Sequence, residues 1–137
     1  MKLHALMRQL AEAYRRLQEA VVIDPQAPLA VDGTIQRFEF CFELSWKAIN
    51  AWLATEGINA SSPKACLKAA FQQGLVTDEA GWLALLEMRN LTVHVYDESL
   101  ALRIYTDIIQ HHGLIAALIA ALDTAVRKNS TKILEEG

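Results

Sequence analysis

Arg89, Asn90, His94, Tyr96 and Asp97 bring a guanidinium, an amide, an imidazole, a phenol and a carboxylate into one short stretch. A guanidinium stays charged at any physiological pH, and an imidazole ordinarily titrates at about 6.5. They are the two tools needed to cut RNA without a metal. His94 would take the proton from a ribose 2′-hydroxyl or deliver one to the leaving 5′-oxygen, while Arg89 stabilises charge on the phosphorus-centred transition state. One histidine performs one of these roles at a time, so a dimer that juxtaposes two copies of the stretch would supply both. The plainer alternative is a helix end, where a cation complements the dipole and Asn is a common stop signal.

The elements around the stretch decide whether its side chains can meet. At about 100° per residue, Arg89 and Tyr96 would align on a continuous helix, whereas His94 would lie roughly 140° from Arg89. Convergence therefore requires the backbone to turn after about Thr92, or a second chain to complete the site. Thr92, Val93 and Val95 are weak helix formers and Asp97 reads as the next N-cap, so a helix is expected to end here.

Upstream, apolar residues recur at three- and four-residue steps from Leu3 to Val22, with Arg8, Glu12, Arg15 and Glu19 on the other side, which predicts an amphipathic helix. Pro25 and Pro28 end it. A second helix is expected from about Asp32 to Gly57, with Ile35, Phe38, Phe42, Ser45, Trp46, Ile49, Trp52 and Leu53 in one core-facing arc. Phe40 and Leu44 fall outside that arc, across a narrow polar strip of Gln36, Glu39, Glu43, Lys47 and Asn50. A helix apolar on two sides is central in a bundle or covered by another subunit. The strip is either solvated charge with a Glu43–Lys47 pair, or a polar groove lined by Glu39 and Glu43 together with Asp97.

Ser62-Pro63 starts a short helix that Gly74 stops, with Lys64 and Lys68 one turn apart on its surface. Thr77-Asp78-Glu79 opens a fourth helix that carries Trp82, Leu85, Leu86 and Met88 towards Arg89. A fifth runs from Glu98 to about Lys128, with an interruption expected at Gln110-His111-His112-Gly113. Adjacent His111 and His112 point to different faces, which argues against a shared metal. The expected architecture is all-α, an antiparallel up-and-down four-helix bundle with one additional short helix: a single domain over residues 1–128 and a frayed polar tail over 129–137.

A chain of 137 residues with 53% hydrophobic residues can bury a real core unaided. Its net charge of -3 excludes binding nucleic acid through a broad basic surface, so any such contact must be local. Cys41 and Cys66 sit in apolar helical patterns without CxxC spacing and read as buried, reduced thiols. The start of the chain reads as amphipathic helix rather than signal peptide, and no uncharged apolar run reaches the ~18 residues of a membrane span, so a cytoplasmic protein is expected. No metal site is expected, because no histidine or further acid stands at ligand spacing from Glu39 and Glu43. No glycine-rich phosphate loop calls for a cofactor.

The run Phe38-Glu39-Phe40-Cys41-Phe42-Glu43-Leu44-Ser45-Trp46-Lys47, then Ser62-Pro63, Phe71-Gln72-Gln73-Gly74-Leu75, Trp82 and Arg89-Asn90-Leu91-Thr92-Val93-His94-Val95-Tyr96-Asp97-Glu98, resembles the nucleotidyltransferase substrate-binding protein family. That family lies in the HEPN superfamily, beside the HepT-like toxins of two-component systems with a minimal nucleotidyltransferase. The resemblance spans about Leu3 to Leu122. It implies a bundle that forms a homodimer with the Arg-x4-His segments at a shared cleft, able to hold RNA or a nucleotide, and a separately encoded minimal nucleotidyltransferase as partner. It also implies a metal-independent ribonuclease toxin neutralised by AMP transfer to a motif tyrosine. Arg89 and His94 would then be catalytic, Asn90 their polar support and Tyr96 the modification site. The alternative is a non-catalytic nucleotide- or substrate-binding subunit that docks the transferase.

Overall fold

Periodic burial of one stripe explains each long helix. In the computed structural model, which describes residues 2–136 and their side chains over 2–130, α1 (Lys2–Val21) buries Leu3, Leu6, Leu10, Tyr14 and Leu17. Its polar face carries Arg15 between Glu12 and Glu19, both paired with it one turn away. The remaining elements are α2 (Ala30–Thr55), α3 (Pro63–Gln72), α4 (Glu79–Leu91), a 3-10 turn (Thr92–His94), α5 (Glu98–His111) and α6 (Gly113–Glu136). The fold is an all-α bundle, as expected.

The centre of the bundle is α2, which packs against all five other α-helices. Of the arc expected to face the core, Ile35, Phe38, Phe42, Ser45, Ile49, Trp52 and Leu53 are buried and Trp46 is half-buried; Cys41 and Ala48 are buried with them. Phe42 stacks between Phe38 and Trp82 of α4, at centroid distances of 6.1 and 6.3 Å. Each such buried ring removes enough apolar surface from water to stabilise the fold by about 1.5–3 kcal/mol. The Ser45 hydroxyl donates to the Cys41 carbonyl at 2.7 Å, which is how a polar group is tolerated at full burial. On the outer side Phe40 stays half exposed, while Leu44 packs in part against the core.

Two expectations need correction, and a third is met. Asp32 is not the N-cap of α2: the helix begins at Ala30, because Leu29 adopts a left-handed φ of 67° and its carbonyl accepts the Gly33 amide at 2.8 Å. Asp32 lies instead within the first turn, where its charge complements the dipole. The interruption expected at Gln110-His111-His112-Gly113 is present: the fifth run divides into α5 and α6, bent by 44° at His112. The bend is tied to α1 by a hydrogen bond between the Tyr14 hydroxyl and His112 Nδ1 at 3.1 Å. Finally, Glu43 does not pair with Lys47 but reaches across to α4.

The caps fall where the sequence places them. Ser62 accepts the Ala65 amide ahead of Pro63, Asp78 accepts the Gly81 amide, and Gly57 and Gly74 take positive φ just past the ends of α2 and α3. The backbone is helical over 129–136, where the polar tail was expected, and Gly137 lies outside the described residues. Cys41 and Cys66 are buried and unpaired, and burial pushes the Cys41 thiol up to about 12, which leaves it protonated and inert. Among the described residues no single helix is long and apolar enough to cross a membrane.

Candidate functional site

The end of α4 is fixed by a threonine. Thr92 is buried, and its hydroxyl donates to the Arg89 carbonyl at 2.7 Å, which also accepts the Thr92 amide. The chain then tightens into the 3-10 turn, and the Asp97 amide closes it by donating to the His94 carbonyl at 3.0 Å. Asp97 Oδ1 in turn accepts the amides of Ser99 and Leu100, at 3.0 and 3.2 Å, and starts α5. Within this connection Val95 packs against the core, so its two neighbours are presented outward. Tyr96 is 82% exposed.

His94 Nδ1 and the Tyr96 hydroxyl lie 3.3 Å apart, and the rings meet edge-on with centroids 5.9 Å apart. The contact places an imidazole nitrogen within hydrogen-bond distance of a phenol oxygen. Arg89 projects from the last turn of α4, and its Nη2 donates to Glu43 Oε2 of α2 at 3.3 Å. Both side chains are a little over one-third exposed, so the pair orients the guanidinium more than it stabilises the fold. A guanidinium has five N–H donors, and among the described residues Glu43 is the one side chain it bonds, leaving donors for a ligand.

One turn back along α2 from Glu43, half-buried Glu39 lines a pocket of about 420 Å³ together with Leu29, Asp32, Gln36 and Val95. Glu43 thus meets the stretch at Arg89, and Glu39 shares a pocket wall with Val95. Asp97 takes no part in that groove pocket; its carboxylate is occupied as a cap. Asn90 is exposed beside Arg89, and no hydrogen bond links it to His94 or Tyr96 among the described residues. Nor does one join Arg89 to His94 within the chain.

Residues 6–124 match the family described as nucleotidyltransferase substrate binding protein like. The chain belongs to this family. A probable ribonuclease HepT of Haemophilus influenzae is 35% identical over 115 residues, which is 72% of this chain and 79% of that protein. Two solved structures are also similar. Protein ttk003001694 of Thermus thermophilus is 33% identical with a TM-score of 0.78, over 82% of this chain and 98% of the other. HI0074 of Haemophilus influenzae, described as the fold of a substrate-binding domain of a nucleotidyltransferase, is 30% identical with a TM-score of 0.76, over 85% and 98%. A chain of the toxin-antitoxin MntA-HpeT mutant, at 19% identity, TM-score 0.74 and coverage of 89% and 97%, shares the fold.

In this member of the nucleotidyltransferase substrate-binding family, several site residues escape sequence reasoning. Thr92 reads only as a weak helix former, yet it closes the turn. Leu29, Asp32 and Val95 join the pocket wall from two segments distant in sequence, and nothing in their local pattern signals it. The His94–Tyr96 contact spans two residues across a turn, a spacing at which side chains on a regular helix do not face each other.

Proposed function

We propose that the chain is the HEPN-type subunit of a two-component nucleotidyltransferase toxin-antitoxin system and acts in the cytoplasm as a metal-independent endoribonuclease. The observation that carries this reading is the turn after Leu91. It presents His94 and Tyr96 in contact at the surface, one helical end from an Arg89 held by Glu43. In a homodimer, one His94 withdraws the 2′-hydroxyl proton and the 2′-oxygen attacks phosphorus. The P–O5′ bond breaks, and the second copy's His94 protonates the departing oxygen. Arg89 neutralises charge on the five-coordinate phosphorus, with Asn90 as polar support. The exposed Phe40 face of α2 supports the pairing of subunits.

The same geometry supports a switch. A separately encoded nucleotidyltransferase would transfer AMP to the Tyr96 oxygen, which attacks the α-phosphorus of ATP as pyrophosphate leaves and the phenol loses its proton. The new phosphodiester would stand against His94 Nδ1 and remove it from catalysis. In a second reading, favoured by the net charge of -3, the chain binds a nucleotide and docks the transferase without cutting RNA.

Purified chain, free of transferase, is expected to degrade RNA, and the His94→Ala variant to lose at least about 100-fold in rate. Equal rates for the two proteins would remove His94 from the mechanism. Co-expression with the transferase is expected to place AMP on Tyr96 by mass spectrometry; an unmodified chain in a stable complex would favour the docking reading.

A further inference from the structure

We propose that the pocket beside Val95 is a nucleobase subsite that takes guanine from the strand whose phosphate lies at Arg89. The proposal rests on the ribonuclease reading above. At about 420 Å³ the pocket falls at the small end of ligand sites, which run from about 300 to 1,000 Å³. Leu29 and Val95 supply apolar walls of the kind a flat base packs against, over the buried Ile35.

Asp32, Gln36 and Glu39 supply the polar edge. They are spaced by four and three residues on α2 and so share one face of that helix. Four residues further on, the same face carries Glu43, the partner of Arg89. The polar edge of the pocket therefore shares a helix face with the residue that holds the guanidinium, and Val95 joins it to the segment between His94 and Tyr96. Among the described residues, no hydrogen bond or ion pair engages the side chains of Asp32, Gln36 or Glu39.

The charges divide the labour. A carboxylate only accepts hydrogen bonds, so two of them repel a phosphate and attract a group rich in donors. Single-stranded RNA is read by splaying out a base and bonding its Watson–Crick edge. Guanine presents N1–H and the N2 amino group side by side, a match for the two oxygens of one carboxylate. Uracil presents a single N–H between two carbonyl oxygens, which the same carboxylates repel. With the base seated here, the attached phosphate reaches towards Arg89 and His94.

Gly33, on the pocket wall, provides a probe that leaves the fold alone. A Cβ built there meets no atom within 4 Å, so a longer side chain enters open space rather than the core. The experiment is titration of the full chain with guanosine 3′-monophosphate and uridine 3′-monophosphate, alongside cleavage of oligonucleotides holding a single G or U before the scissile bond.

Guanosine monophosphate is expected to bind at least about tenfold more tightly, the discrimination of one good bidentate contact. A doubly substituted Asp32→Asn, Glu39→Gln chain should lose that preference. Gly33→Leu should weaken guanosine monophosphate binding by a similar factor while the unfolding midpoint does not fall. Equal affinities, no binding of either nucleotide, or a preference that survives both variants would overturn the subsite. RNA cleavage without preference for G would reject the subsite and leave the ribonuclease reading intact. Guanine-selective binding with no cleavage would reject the ribonuclease and assign the subsite to a binding subunit.

Discussion

Tyr96 touches His94 because the chain leaves the helix between Arg89 and either of them. Helical spacing pairs Tyr96 with Arg89, seven residues away, and that alignment dissolves once α4 stops at Leu91. Residue types were therefore legible where residue contacts were not: the guanidinium, imidazole and phenol mark a candidate site, and only the turn decides which two meet. Glu43 repeats the lesson. Its local partner by spacing is Lys47, but packing of α4 on α2 offers a guanidinium in a half-buried setting. The same scale holds a pH prediction at His112, which the sequence marks only as a place where a helix could break. Burial lowers the pKa of its imidazole below the ordinary 6.5, so the fold favours the neutral ring. Its stabilising contribution is complete above about pH 6.5 and is lost as pH falls through the folded-state value. Urea unfolding from about pH 7.5 to 5.5 should therefore cost the wild type more stability than His112→Asn; parallel losses would contradict the assignment.

Among the elements, those with capping signals are the most legible in the sequence. Ser62-Pro63, Asp78, Asp97, Gly57 and Gly74 each mark an end, because each solves a local problem of orphan amides or positive φ. The start of α2 was less legible: it depends on a leucine in a left-handed conformation, which no propensity favours. The 44° corner at His112 lay in the expected place, but its attachment to α1 through Tyr14 joins residues 98 apart and cannot be seen in any window. The turn that presents His94 is the element on which the site depends, and Thr92 is its bolt. Replacing Thr92 with valine keeps shape and removes one hydrogen bond, which should lower stability by about 1 kcal/mol in denaturant unfolding. RNA cleavage should fall further than that loss explains, since the turn sets the direction of His94. Unchanged cleavage would show that the turn forms without its hydroxyl.

Taken whole, the molecule has one helix in contact with all the others, and that helix also carries the half-exposed Phe40 and the polar stripe from Asp32 to Glu43. The doubly apolar pattern of α2 left two readings, a central position or cover by another subunit, and within the chain α2 is central. What the pattern left open is how much of the second apolar side is covered, because that depends on neighbours: Leu44 is partly packed within the chain and Phe40 is not. A dimer that covers Phe40 should be broken by Phe40→Asp, which buries a charge in an apolar contact, while the isolated chain keeps its fold. Analytical ultracentrifugation should then report one chain in place of two; a wild type that is already monomeric would remove the composite site. The most direct measurement concerns the chemistry itself. RNA incubated with the purified chain in a metal chelator should yield ends bearing 2′,3′-cyclic phosphate, and these should vanish with Arg89→Ala or His94→Ala, or when the 2′-hydroxyl before the scissile bond is removed. Cyclic ends that persist in both variants, or a wild type that yields none, would contradict the account.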